Sequence, residues 1–89
     1  VAWVYERGKD YNEGRGFGFT GGHHHINWAS NNFRKLVLNG IAWTAKVTIP
    51  ENGLNAGDVK FEDIVANQDY PPNDRWPEKK IRDFLAVPK

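Results

Sequence analysis

Apolar and polar positions follow three different rhythms along this chain. At the start, Val1, Trp3 and Tyr5 share one side of an extended segment, and Ala2 and Val4 share the other, because successive strand side chains point to opposite faces. Both faces are apolar, which predicts a strand over Val1–Tyr5 covered on two sides. Glu6–Gly14 is polar and reads as a loop. Alternation returns over Arg15–Thr20, with Phe17 and Phe19 on one face and Gly16 and Gly18 on the other. Glycines stacked on one strand face mark a close approach by backbone or an aromatic ring. The two segments predict an antiparallel hairpin.

The rhythm then changes to a helical one. Phe33, Leu36, Val37, Gly40, Ile41 and Thr44 recur at helical spacing, and Leu38, Ala42, Trp43 and Ala45 widen the apolar surface. Arg34, Lys35, Asn39 and Lys46 form the polar stripe, with Arg34 and Lys35 read as solvated charges and Trp43 as core. Ser30, Asn31 or Asn32 can cap the first turn. Such a helix needs more apolar partner surface than one hairpin supplies, and a two-stranded hairpin is itself marginal in water. The pattern therefore predicts a larger sheet upstream, of which this chain is the C-terminal part.

Beyond Lys46 the texture is irregular. Val47–Pro50 is extended, Asn52-Gly53 signals a turn, and Asp58 can cap a short helix through about Asn67. Tyr70–Asp74 contains Pro71-Pro72 and excludes regular helix. Pro77 suits the first turn of a last helix, Glu78–Leu85, whose apolar edge is Ile81, Phe84 and Leu85. Phe61, Tyr70, Trp76 and Phe84 anchor this tail as a strap of short helices. The chain thus divides into residues 1–46 and an extension, 47–89.

Composition narrows the picture. A chain of 89 residues buries only about 60–65% of its unfolded surface, so a stand-alone fold is marginal. It has no cysteine, which removes disulfides, thiol nucleophiles and Cys-type zinc sites, and which suits cytoplasm, periplasm and secretion alike. The net charge is +1 with acids and bases interspersed, which speaks against nucleic-acid and membrane partners. No apolar run reaches membrane-spanning length. The absence of methionine fits a natural start further upstream.

Chemistry concentrates in Gly21-Gly22-His23-His24-His25-Ile26-Asn27-Trp28, after a strand and before a helix. Ligands of open α/β sheets sit beyond strand ends, near helix N-termini. The paired glycines permit unusual backbone geometry and let a ligand reach the main chain, Gly22 in particular. His23 is the first candidate to move a proton, and His25 the second. The competing reading is a polar turn whose histidines bond to backbone carbonyls. In an extended segment His23 and His25 share a side, so a divalent metal such as zinc is the one cofactor the pattern leaves open. Asn27 beside Trp28 offers an amide and an aromatic face for a sugar ring, against the plainer role of covering the helix N-terminus. The run Gly14-Arg15-Gly16-Phe17-Gly18 is not a phosphate loop, because such loops pass from strand into helix.

One ordered set of motifs resembles a known family. Val1-Ala2-Trp3-Val4, Gly14-Arg15-Gly16-Phe17-Gly18-Phe19-Thr20, Gly22-His23 and the helix from Asn32-Phe33-Arg34-Lys35 to Trp43-Thr44-Ala45 look like the C-terminal part of ThuA-like (trehalose-utilisation-like) domains. The resemblance covers residues 1–45. It implies an α/β fold: the C-terminal part of a flavodoxin-like, class I glutamine amidotransferase-like three-layer sandwich. It also implies a role in trehalose or related keto-sugar metabolism, a small-molecule carbohydrate as partner and homo-oligomer formation through the larger domain. His23 matches the Gly-His position, where the related amidotransferases carry a catalytic histidine. Those enzymes place a glutamate two residues later; this chain has His25 there, and its Glu6–Gly14 loop is longer than the family's connection. The alternatives are a non-catalytic carbohydrate-binding module built on Asn27 and Trp28, or a purely structural C-terminal piece.

Overall fold

The computed structural model describes residues 1–66, 68 and 75–88. It is mixed α/β: a two-stranded antiparallel hairpin followed, among the described residues, by three helices. The strands are β1, Ala2–Glu6, and β2, Arg15–Phe19; the helices are α1, Asn31–Thr44, α2, Phe61–Ala66, and α3, Glu78–Ala86. The expected Asn67 end of the second helix and the Tyr70–Asp74 segment lie outside the described residues.

The hairpin register places Trp3 opposite Gly18, Val4 opposite Phe17 and Tyr5 opposite Gly16. Trp3 uses the room that glycine leaves: a Cβ on Gly18 would stand 2.1 Å from its indole. The connecting loop closes with the Arg7 N–H donating to the Gly14 carbonyl at 2.8 Å. The other face of β2 meets α1, where the Phe17 ring lies against Gly40. Two-sided coverage of β1 is not met among the described residues: all five of its residues are exposed, Trp3 by 55% and Val4 by 60%. The helix that packs on the hairpin, α1, lies on β2.

Ser30 caps α1 as expected, its Oγ accepting from the Phe33 N–H at 3.3 Å. The buried positions of α1 are small, Gly40 and Ala42, which lets helix and strand approach closely. Several expectations for this helix are corrected. Ile41, placed on the apolar face by its spacing, is 61% exposed, and Leu36 is exposed as well. Arg34 is half-buried rather than solvated: it donates to the Trp28 carbonyl at 2.8 Å and to the Gly57 carbonyl at 3.3 Å. Asn39 accepts from the Leu54 N–H at 2.9 Å. The polar stripe is thus where segment 50–57 docks, because the backbone groups of an irregular segment need hydrogen-bond partners. Trp43 is half-buried under the Arg15 guanidinium, 4.7 Å from its ring centroid. Arg15 also donates to the Trp43 carbonyl at 3.0 Å, placing a cation at a helix C-terminus, where the backbone dipole favours it.

The end of α1 holds an unusual residue. Lys46 adopts φ 61°, while its N–H donates to the Trp43 carbonyl at 3.0 Å and the Val47 N–H donates to Ala42 at 2.9 Å. This two-bond closure places its left-handed residue where glycine is favoured. Lys46→Gly is therefore expected to stabilise the chain by about 0.5–1 kcal/mol. Thermal unfolding should show a Tm higher by roughly 2–8 °C; an unchanged or lower Tm contradicts this account.

The main core lies away from the hairpin. Ala29, Ile64 and Ile81 are buried together, with Ile26, Trp28, Val59, Phe61, Trp76, Phe84 and Leu85 packed around them. The tail behaves as the expected strap, α2 and α3 closing over the 3-10 segment His25–Ala29. Asp58 lies before the N-cap position, which Lys60 occupies ahead of Phe61. The helix starts later, and Asp63 accepts from the Lys60 N–H at 2.9 Å, reaching back as the acid of a capping box does. In α3, Ile81 is fully buried with Phe84 and Leu85 half-buried, as the spacing predicts. On its outer side Lys79 donates to Asp83 at 2.8 Å, and this bond raises the exposed ammonium above the ordinary lysine value.

A ladder of rings joins the two packing centres. Phe17 and Phe19 are 6.3 Å apart, Phe19 and Phe33 5.3 Å, and Phe33 and Trp28 4.8 Å edge to face. Such pairs contribute about 0.5–1.5 kcal/mol each beyond area burial. The two centres make the molecule long: its radius of gyration is 15.8 Å, against about 12 Å for a compact domain of this length.

Candidate functional site

The Gly21–His25 turn leaves β2 at Thr20 and makes a short 3-10 turn, Gly21–His23. A Cβ on Gly21 would lie 2.4 Å from the Phe19 ring and 3.1 Å from the Phe33 ring. Gly21 is thus required by aromatic packing. Neither Gly21 nor Gly22 is among the positive-φ glycines, so this pair does not use the unusual backbone geometry that glycine permits. Gly22 is exposed with nothing within 4 Å of its Cβ position. That leaves the main chain beside His23 uncrowded.

The three histidines have different surroundings. His23 and His24 are exposed, their rings 4.9 Å apart in an edge-on arrangement. His25 is half-buried, and its Nε2–H donates to the Ile64 carbonyl at 2.8 Å. That carbonyl belongs to the last turn of α2, where intrahelical donors run out and a histidine can serve. The carbonyl-bonded reading therefore describes His25, while His23 stays open to solvent. The pattern ranks His25 above His24, yet His24 is the ring beside His23. Nothing in a run of three identical residues distinguishes them; only the 3-10 geometry does.

Asn27 and Trp28 are engaged within the fold. The Asn27 Nδ2 donates to the Gly21 carbonyl at 2.8 Å, locking the turn across six residues. Trp28 is half-buried, with its ring set edge-on to Phe33 at an interplanar angle of 85°. Arg34, which sequence reasoning set aside, pins the Trp28 carbonyl.

Zinc takes three or four protein ligands, and no group of three His, Cys, Asp or Glu side chains among the described residues could hold a metal ion. The His25 Nε2 is also occupied as a donor. What the turn offers chemically is an exposed imidazole at His23, a side chain of the kind that serves as acid or base where it meets a substrate.

His25 gives a stability prediction. His25→Ala leaves the Ile64 carbonyl short of a partner and should cost about 1–2 kcal/mol. His24→Ala, at an exposed ring, should change stability by less than about 0.5 kcal/mol. Urea unfolding of the two variants checks the ranking, and equal midpoints contradict it.

No helix among the described residues is long and apolar enough to cross a membrane. No family model matches the chain, and neither the curated proteins nor the solved structures give a match.

Proposed function

We propose that this chain carries the histidine-bearing turn of a ThuA-like domain, in a flavodoxin-like three-layer sandwich, and that His23 exchanges a proton with a carbohydrate substrate. One observation carries the reading: the His23 side chain is exposed just past the C-terminal end of β2, beside uncrowded Gly22, with no ring hydrogen bond to another described residue. A general acid or base must meet substrate directly, and His23 has that freedom while His25 is held by Ile64. The apolar, exposed β1 supports the sandwich, since further sheet would cover Trp3, Val4 and Tyr5. The carbohydrate-module alternative is less well supported, because Asn27 and Trp28 are engaged in the fold.

The experiment is turnover of trehalose, related disaccharides and their keto forms by the intact protein, with His23→Ala and His24→Ala compared. His23→Ala should lower turnover at least tenfold at unchanged folding stability, with His24→Ala near the unsubstituted rate. Unchanged turnover in His23→Ala on every converted sugar removes the proposed role.

A further inference from the structure

A second surface, with none of the histidine-turn residues in its lining, has its own polar chemistry. Segment 50–57 is held against α1 at several points. The Gly53 N–H closes a turn on the Pro50 carbonyl at 2.8 Å. Leu54 donates to Asn39 at 2.9 Å, and Arg34 donates to the Gly57 carbonyl. Gly53, at φ +81°, lies so near α1 that a Cβ would stand 2.6 Å from the Lys35 Cε. Glycine suits both that φ and that approach. The segment is thereby fixed before any ligand arrives, which lowers the ordering cost of binding.

Between segment and helix lies a cavity of about 340 Å3 lined by Asn31, Asn32, Asn52 and Asn55. Lys35 is the one charged residue in its wall. The Asn31, Asn32 and Asn52 side chains make no hydrogen bond to other described residues. The Asn55 Oδ1 accepts from the Gly57 N–H at 2.8 Å, which leaves its Nδ2 hydrogens available. Four amides thus line one cleft, each able to present donors and an acceptor. Leu54 and Ala56 add an apolar strip.

We propose that this cleft binds a neutral polyhydroxyl ligand of mono- to disaccharide size. Neighbouring sugar hydroxyls are donors and acceptors at once, and an amide answers both. The C–H face of a sugar ring suits Leu54 and Ala56. A phosphate or carboxylate would find one cation in the wall, and a divalent cation would find no carboxylate. The volume lies in the range of small-molecule clefts, roughly 300–1,000 Å3. This site does not depend on the reading of His23.

The test is a nuclear magnetic resonance titration of the 89-residue chain with glucose, maltose and trehalose, and separately with inorganic phosphate. At least one sugar should shift the side-chain amide signals of Asn31, Asn32, Asn52 and Asn55 saturably. Asn32→Ala combined with Asn52→Ala should weaken that sugar at least tenfold; both residues are exposed, so folding should be unaffected, as amide spectra will show. Asn52→Asp should also weaken it, because two donors are lost. Absence of saturable amide shifts, tighter binding of phosphate than of every sugar, or unchanged affinity in the folded double variant overturns the proposal. Shifts at the His23 ring alone overturn this site and leave the histidine reading standing; shifts at the amides alone support this site only.

Discussion

Ile81→Ala should lower stability by about 2–5 kcal/mol, the range for removing most of a buried isoleucine side chain. The expected value sits in the upper half of that range, for two reasons. Ile81 is the only large side chain among the described residues to be completely buried, and the cluster around it draws on three stretches: Ile26, Trp28 and Ala29; Val59, Phe61 and Ile64; and Trp76, Phe84 and Leu85. Rigid neighbours on several elements cannot all close in on the space left behind. At about 0.05–0.15 kcal/mol per residue, a chain of 89 residues has roughly 4–13 kcal/mol in total, so the loss is a large share. It should also be local in character. α2 and α3 should detach from His25–Ala29 first, and the amides of α3 should exchange hydrogen faster than those of α1. Ile41→Ala is the control: at 61% exposure it should change stability by less than about 0.5 kcal/mol. Urea midpoints and hydrogen exchange together decide it. An Ile81→Ala midpoint equal to that of Ile41→Ala would remove the strap core from this description.

What the sequence made legible was local. The hairpin follows from alternation over residues 1–5 and 15–20, α1 from helical spacing and the Ser30 cap, and α3 from Pro77 and the Ile81, Phe84, Leu85 edge. Each signal lies within a few residues of the element it defines. What stayed hidden depended on partners distant in the chain. The bond that separates His25 from His23 spans 39 residues, so nothing within the triple-histidine run announces it. The polar stripe of α1 was visible, but polarity does not say whether water or a docked segment satisfies it; Arg34 and Asn39 serve segment 50–57. The same non-local docking makes the asparagine cleft, where the sequence signalled only the Asn52-Gly53 turn. Residue type alone makes Asp58 a cap candidate, whereas Asp63, inside the helix, reaches back to Lys60. Close aromatic approach on the glycine face was anticipated at Gly16 and Gly18 and is realised at Gly18 alone, since nothing lies within 4 Å of a Cβ at Gly16.

That last contrast carries the second large prediction, because a short distance alone does not fix the cost of a substitution. A Cβ at Gly18 would stand 2.1 Å from the Trp3 indole, closer than the 2.7 Å between a Cβ at Gly40 and the Phe17 ring. Yet Trp3 is 55% exposed, and its ring can swing outward into water. Gly18→Ala should therefore cost about 1 kcal/mol or less. Phe17 has no such exit: it lies between β2 and α1, half-buried and stacked on Phe19. At Gly40 two effects oppose each other. Replacing glycine by alanine inside a helix gains about 1 kcal/mol of propensity, while forcing a methyl into a filled contact costs about 1–3 kcal/mol. Gly40→Ala should then be mildly destabilising. Gly40→Val adds two more carbons and a β-branch that gives back most of the propensity gain. It should cost roughly 2–4 kcal/mol and separate α1 from β2, breaking the ring ladder at Phe17. The order expected in urea unfolding is Gly40→Val well below Gly40→Ala, with Gly18→Ala near the unsubstituted chain. A Gly40→Val midpoint as high as that of Gly18→Ala would mean that α1 does not lean on β2 through this glycine, and with it would go the geometry that sets the Gly21–His25 turn at the end of the strand.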